Sequence, residues 1–142
     1  MIGRLFAGCA LMAACVTVHA AGITWALRRV RRSAPSIQSF WRSLRLFVLL
    51  AVWMVLLHLG EISLWAGSYV WNGAIGDLPT AIYFSAVTYT TTGYGDVVLP
   101  PGYRLEGGIE ALTGILMCGW STGFFFAIVS RLVDAQPSAA RS

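Results

Sequence analysis

Charge is scarce in this chain. Only 11% of its 142 residues are Asp, Glu, Lys or Arg, and lysine is absent, all ten basic residues being arginine. Soluble domains carry about a quarter of their residues charged, so an ordinary water-soluble globule is excluded. Cysteine is also sparse: Cys9, Cys15 and Cys118 show neither metal-ligand spacing nor a disulfide framework. Each falls inside an apolar run, where a thiol is expected as a small buried hydrophobe. There is no phosphate-cradling glycine loop, no dinucleotide fingerprint and no internal repeat. Nucleotide-dependent enzymes and solenoids are thereby set aside. The net charge of +4 does not indicate nucleic acid, because six of the ten arginines crowd between Arg28 and Arg45. That is a loop flank rather than a binding face.

What the chain has in quantity is apolar sequence, 57% of its residues. A bilayer core of about 30 Å needs about 20 mostly apolar residues in helix, and residues 5–27, 44–65 and 105–133 each meet that length. A fourth run, residues 78–89, is too short at about 1.5 Å per residue to cross, so it is expected to dip in and return. Asp77 as N-cap and Pro79 just behind it are start signals for a short helix there.

Orientation follows from the arginines. Arg28, Arg29, Arg31, Arg32, Arg42 and Arg45 lie in one short connection, and short loops rich in arginine stay in the cytoplasm. The N-terminus is then outside, the C-terminus cytoplasmic, and the chain a multi-pass protein of the plasma membrane. Aromatics fit this arrangement: Trp25 and Trp41 flank the basic loop, while Trp65, Tyr69, Trp71 and Tyr103 are expected at the outer interface. The first segment has a rival reading, since Arg4, an apolar run and Val18-His19-Ala20 resemble a cleavable secretory signal. Cleavage would place the arginine-rich loop outside against the charge rule, so a retained helix is preferred.

Between the second and third spans, residues 88–96 read T-Y-T-T-T-G-Y-G-D. Stripping water from an ion costs tens of kcal/mol, roughly, unless other oxygens replace it, and backbone carbonyls can supply them. For successive carbonyls to face one axis the backbone must alternate in hand, and only glycine takes positive φ without steric cost. Gly93 and Gly95 stand at alternate positions suited to that. The stretch matches T-x-x-T-x-G-Y-G-D at Thr88, Thr91, Gly93, Tyr94, Gly95 and Asp96, and on those residues the chain resembles the pore-loop potassium channels. Within that family it is most similar to small two-span channels, with an extra N-terminal helix whose likeness is compositional only.

The resemblance implies an all-α membrane protein of three transmembrane helices plus a re-entrant pore helix and selectivity-filter loop, assembled as a fourfold pore. Its implied organisation is an N-terminal helix in residues 1–27, a basic cytoplasmic loop 28–43, a pore domain 44–133 and a short cytoplasmic tail 134–142. Inside the pore domain lie an outer helix 44–66, a pore helix 78–90, a filter 91–96 and an inner helix 105–133. Carbonyls of Thr91, Thr92, Gly93 and Tyr94, with Gly95 completing the strand and the Thr91 hydroxyl below, would coordinate potassium. Tyr94 would point outward as a spring and Asp96 would stand at the outer mouth. One loop per chain requires three further copies, a homotetramer in lipid, with potassium as permeant ion and no cofactor, small-molecule substrate, nucleic acid or enzymatic turnover. No span carries arginine at every third position, so a voltage sensor is not expected.

Several residues depart from the family pattern. Tyr83 and Phe84 replace the tryptophan pair that often braces the filter tyrosine, and with Thr88 they are the expected filter support; the alternative is ordinary packing. Thr92 stands where valine is commoner, and its hydroxyl needs a partner, a neighbouring threonine or Tyr89. A looser filter, passing monovalent cations without selection, is the nearest alternative function. Gly114 or Gly119 would serve as the gating hinge, although close packing explains them equally, and Gly119 with Gly123 has G-x-x-x-G spacing. His58 and Glu61 share a helical face, and Glu110 is expected at a comparable depth. The three are a candidate bracing or pH-sensitive network, with a simple interfacial network as the alternative. Finally, residues 119–123 fit G-x-S-x-G, a serine-nucleophile pattern, so an intramembrane hydrolase using Ser121 with His58 is a remote alternative.

Overall fold

The computed structural model describes residues 2–32 and 40–134. Four helices account for nearly all of them: α1 (Ile2–Arg32), α2 (Phe40–Trp71), α3 (Leu78–Tyr89) and α4 (Arg104–Asp134), the last entered through a 3₁₀ turn at Pro101–Tyr103. No strand occurs among the described residues. Three of the helices, α1, α2 and α4, are long and apolar enough to cross a membrane. At 12 residues, α3 extends only about 18 Å.

The helices overrun the apolar stretches that predict them. α1 continues through Arg28, Arg29 and Arg31, and α2 already includes Arg42 and Arg45. The arginines therefore ride on helix ends, because a helix propagates through arginine at little cost once nucleated. The centre of the basic loop, residues 33–39, and the tail, residues 135–142, lie outside the described residues. Start signals at α3 operate as expected from sequence: Asp77 is extended (φ −142°) and its carboxylate accepts the Thr80 N–H at 2.9 Å, with Pro79 in the first turn.

α1 and α4 run side by side in the same direction. Arg4 meets Glu106, Gly8 faces Ile109, and His19 meets Ser121. α2 runs opposite to both, with its C-terminal end beside the start of α4, where the Tyr103 hydroxyl donates to the Asn72 carbonyl at 2.6 Å. Arg4 adds a second tie there, its guanidinium donating to the Tyr103 hydroxyl at 2.6 Å and stacking 3.8 Å over the ring.

Two apolar cores result. One gathers around α3 and contains Ile62, Trp65, Tyr69, Phe84, Tyr89, Leu99 and Met117. The other lies toward the basic end, where Ile23, Ala26, Leu50, Met54, Leu57, Phe124 and Ile128 join α1, α2 and α4. This corrects two expectations. Trp65 and Tyr69 are fully buried rather than interfacial, since α3 folds back onto that face of α2 and covers it. Of the cysteines only Cys15 is buried, Cys9 and Cys118 being exposed on the surface of this chain. Trp71 does stay outside, nine-tenths exposed.

Candidate functional site

The loop singled out by its sequence begins where α3 ends. Thr90 caps the helix, its N–H bonded to Ala86 O (3.1 Å) and its hydroxyl to the same carbonyl (2.7 Å). The chain turns at Thr90 and Thr91 and then leaves regular structure, yet it stays tied to the helix: Thr91 N–H donates to Thr88 O (2.9 Å) and Gly93 N–H to Val87 O (3.0 Å). Thr88 is thus a carbonyl support of the loop.

Backbone hand alternates through the loop. Positive φ occurs at Thr91 (59°), Gly93 (51°) and Gly95 (81°), and not at Thr92 or Tyr94 between them. Glycine explains the second and third, but threonine at positive φ costs about 1–2 kcal/mol and is an outlier for a β-branched residue. Such strain persists only where the surroundings over-determine it. Here the bonds from Thr91 and Gly93 back to α3 hold it.

Side chains around the loop fall out differently from expectation in part. Thr92 finds a neighbouring threonine, its hydroxyl 3.0 Å from that of Thr90. The Tyr83 hydroxyl donates to Asp96 at 2.7 Å, so Tyr83 holds the outer aspartate and not Tyr94, whose ring is exposed within this chain. Both partners are at the surface. The hydrogen bond from Tyr83 keeps the Asp96 carboxyl below its ordinary value of 3.8, and the same bond raises the Tyr83 phenol above 10.0. Phe84 points the other way, buried edge-to-face against Tyr69 with centroids 5.4 Å apart.

Behind α3 lie two buried polar clusters, and Glu110 is not in the same one as His58 and Glu61. Glu110 accepts from Tyr69 (2.7 Å) and from the Ser85 hydroxyl, all three fully buried. Glu61 instead accepts from the Tyr89 hydroxyl and pairs with His19 Nδ1 at 2.8 Å. His58 approaches Tyr89 (3.1 Å), Ser121 (3.1 Å) and Glu61 (3.6 Å). Ser85 and Tyr89 are one turn apart on α3, so each anchors a successive turn of that helix to a carboxylate. His19 is the residue that sequence reasoning missed: it is fully buried and also 3.1 Å from Ser121. A lone histidine within an apolar span was the available signal. Glu106 was missed likewise. Fully buried, it lies 3.6 Å from Arg4, and neither of its oxygens has a hydrogen bond among the described residues.

The other flagged positions are resolved by their neighbours. A Cβ on Gly114 would fall onto the carbonyl oxygen of Tyr89, so Gly114 is where α4 admits the end of α3. Among the described residues, nothing lies within 4 Å of such an atom at Gly119 or Gly123. Ser121 does face His58, but its G-x-S-x-G string lies in the unbroken helix α4, without the strand-to-helix turn a serine nucleophile uses.

A short helix is thus packed between two long apolar ones and ends in a loop of alternating hand. Residues 44–131, more than half of the chain, match the family model described as "Ion channel". The chain belongs to the ion channel family. No curated protein and no solved structure matches it. The family match spans α2, α3, the loop and most of α4, leaving α1 outside it. Together with three helices of spanning length, membership makes this a multi-pass membrane protein that carries ions.

Proposed function

We propose that four copies of the chain assemble in lipid as a potassium-selective pore that passes K+ passively down its gradient, with α3 as a re-entrant helix. What carries this reading is the alternation of positive φ at Thr91, Gly93 and Gly95 in a T-T-T-G-Y-G-D sequence. Such alternation would let the carbonyls of Thr91, Thr92, Gly93 and Tyr94 face one axis, as rings of four would need to replace an ion's hydration. Residues 90–96 are exposed in one chain, and the negative C-terminal end of α3 favours a cation beneath them. Gly119 and Gly123 offer α4 backbone to a neighbouring copy, and α4 is the inner helix. Asp96, fixed by Tyr83, stands at the outer mouth.

In this reading the arginine-bearing ends of α1 and α2 face the cytoplasm of a plasma-membrane channel and the loop faces outside. α1 is retained, packed against α4 and α2. The two carboxylate clusters brace α3 from behind, and the hinge of α4, with Gly114 occupied by Tyr89, falls to Gly119.

Purified protein in liposomes with opposed potassium and sodium gradients tests the proposal. Potassium flux well above sodium flux, abolished by Gly93→Ala, is the expected result. Equal flux of the two ions would instead assign a nonselective cation pore of the same fold, and no flux from the chain alone would defeat the homotetrameric channel.

A further inference from the structure

Five contacts behind the loop close on themselves. His19 Nδ1 meets Glu61 Oε1 (2.8 Å), Glu61 Oε2 meets the Tyr89 hydroxyl, that hydroxyl meets His58 Nδ1 (3.1 Å), His58 Nε2 meets Ser121 Oγ (3.1 Å), and Ser121 Oγ meets His19 Nε2 (3.1 Å). The ring draws a group from every helix, and it separates the two apolar cores: Cys15 and Ile23 flank His19, Leu57 and Ile62 flank its α2 members, Met117 and Phe124 flank Ser121. All its members are buried except His58, whose side chain is 19% exposed.

A hydrogen bond holds one proton, so five contacts require five. With both imidazoles neutral and Glu61 ionised, the members bring one proton each from His19, His58, Tyr89 and Ser121. That is four. The shortfall lies at one of the two hydroxyls that serve two contacts with a single proton, at Ser121 when neutral His58 carries its proton on Nδ1 and at Tyr89 when it carries it on Nε2; Met54 Sδ at 3.7 Å is a weak competitor for the Ser121 proton. A fifth proton fills the ring whether it rests as an imidazolium beside the Glu61 carboxylate or on Glu61 as the acid. Either way the ring becomes electrically neutral in a setting where net charge is expensive. Of the titratable groups outside the ring that act on it, Cys15 of α1 and Cys118 of α4, neither supplies a positive charge.

We propose that this ring is a one-proton binding site through which α1, by His19, positions the filter: protonated, it fixes Tyr89 at the foot of the loop, and losing the proton opens one contact and lowers conduction. The proposal rests on the pore reading, since Tyr89 immediately precedes Thr90 and the ion-coordinating strand. Glu61 and His58 alone would supply a pH response; the ring adds α1 as a working part of the pore and fixes the stoichiometry.

The decisive variant is Ser121→Ala. It removes two contacts and one proton, leaving three contacts with three protons when Glu61 is ionised and both imidazoles are neutral. The fifth proton is then no longer demanded. Potassium flux into liposomes is measured over about pH 5 to 9, where histidine titrates, alongside ¹⁵N spectra of histidine-labelled protein in the same lipid. Wild-type flux is expected to fall as pH rises, in step with a change in the histidine signals. In Ser121→Ala the flux step and the spectral change should both move about one pH unit or more toward acid, while Ser121→Thr, which keeps a hydroxyl, retains the wild-type profile. Identical profiles in wild type and Ser121→Ala, or a Ser121→Thr profile matching Ser121→Ala, would overturn the proposal. So would loss of the step on adding a zinc chelator, which would make His19, His58 and Glu61 metal ligands. The spectra need no ion flux, so a wild-type protein that titrates but does not conduct counts against the pore and not against the ring.

Discussion

His19 and Ser121 stand 102 residues apart in the chain and 3.1 Å apart in space, imidazole nitrogen to hydroxyl. That contact joins α1 to α4. It makes the helix outside the family-matched region part of the scaffold behind the loop that follows α3, and it bears on what substitutions there should do.

Glu61 is the acceptor for both His19 and Tyr89. Glu61→Ala leaves both without their acceptor in a dry interior, and breaking a buried pair in this way costs about 3–5 kcal/mol. Thermal unfolding in detergent should show the loss, and Glu61→Gln, which keeps shape and one acceptor, should lose less.

Arg4→Gln strips Glu106 of its cation. Because neither carboxylate oxygen of Glu106 has a hydrogen bond among the described residues, the single variant should be less stable than the double variant Arg4→Gln/Glu106→Gln. A double-mutant cycle read by the same melts should return a coupling of about 0.5–3 kcal/mol.

Gly114→Ala drives a methyl group into the backbone of Tyr89. Backbone cannot swing aside as a side chain can, so the cost lies at the upper end of, or beyond, the roughly 1–3 kcal/mol usual for overpacking. Gly119→Ala, facing open space within the chain, should leave the melting of a dissociated chain unchanged. Size-exclusion of each variant in mild detergent separates a folding defect from an assembly defect.

The Asp96–Tyr83 bond predicts a pH window. Asp96 titrates below its ordinary 3.8 when folded, so the stabilisation it confers is complete above that value and disappears as pH falls through the lower folded one. Tyr83 titrates above 10.0 when folded, so its share is complete below that value and disappears as pH rises through the higher folded one. Tyr83→Phe should move the Asp96 carboxyl up toward its ordinary titration, which carboxylate ¹³C shifts would record, and should remove this small surface stabilisation at neutral pH.

Much of the fold was legible because it is written locally. Apolar length alone marks α1, α2 and α4, the Asp77 and Pro79 signals start α3, and a nine-residue string announces the loop. What was not legible depends on contacts between distant segments. Trp65 and Tyr69 look like interfacial aromatics until α3 covers them. Glu110 was expected beside Glu61, yet Ser85 and Tyr89, one turn apart, sort the two carboxylates into separate clusters. His19 sits in a string that reads equally as a cleavage site, and only the fold reveals its partners on α2 and α4. The positive φ of Thr91 has no sequence signal at all, since threonine is a poor choice for it.

The polar inner face of α1 also bears on how the protein is made. This helix emerges from the ribosome first, carrying Arg4 and His19, while Glu61, Glu106 and Ser121 follow only later. Released alone into the hydrocarbon, His19 in the middle of the helix would be without Glu61 and Ser121, and an unsatisfied polar group in lipid is costly. α1 is therefore best served by lingering in the insertion machinery, or near the headgroups, until α2 and α4 arrive, which makes biogenesis a joint event for the three helices rather than a sequence of independent ones.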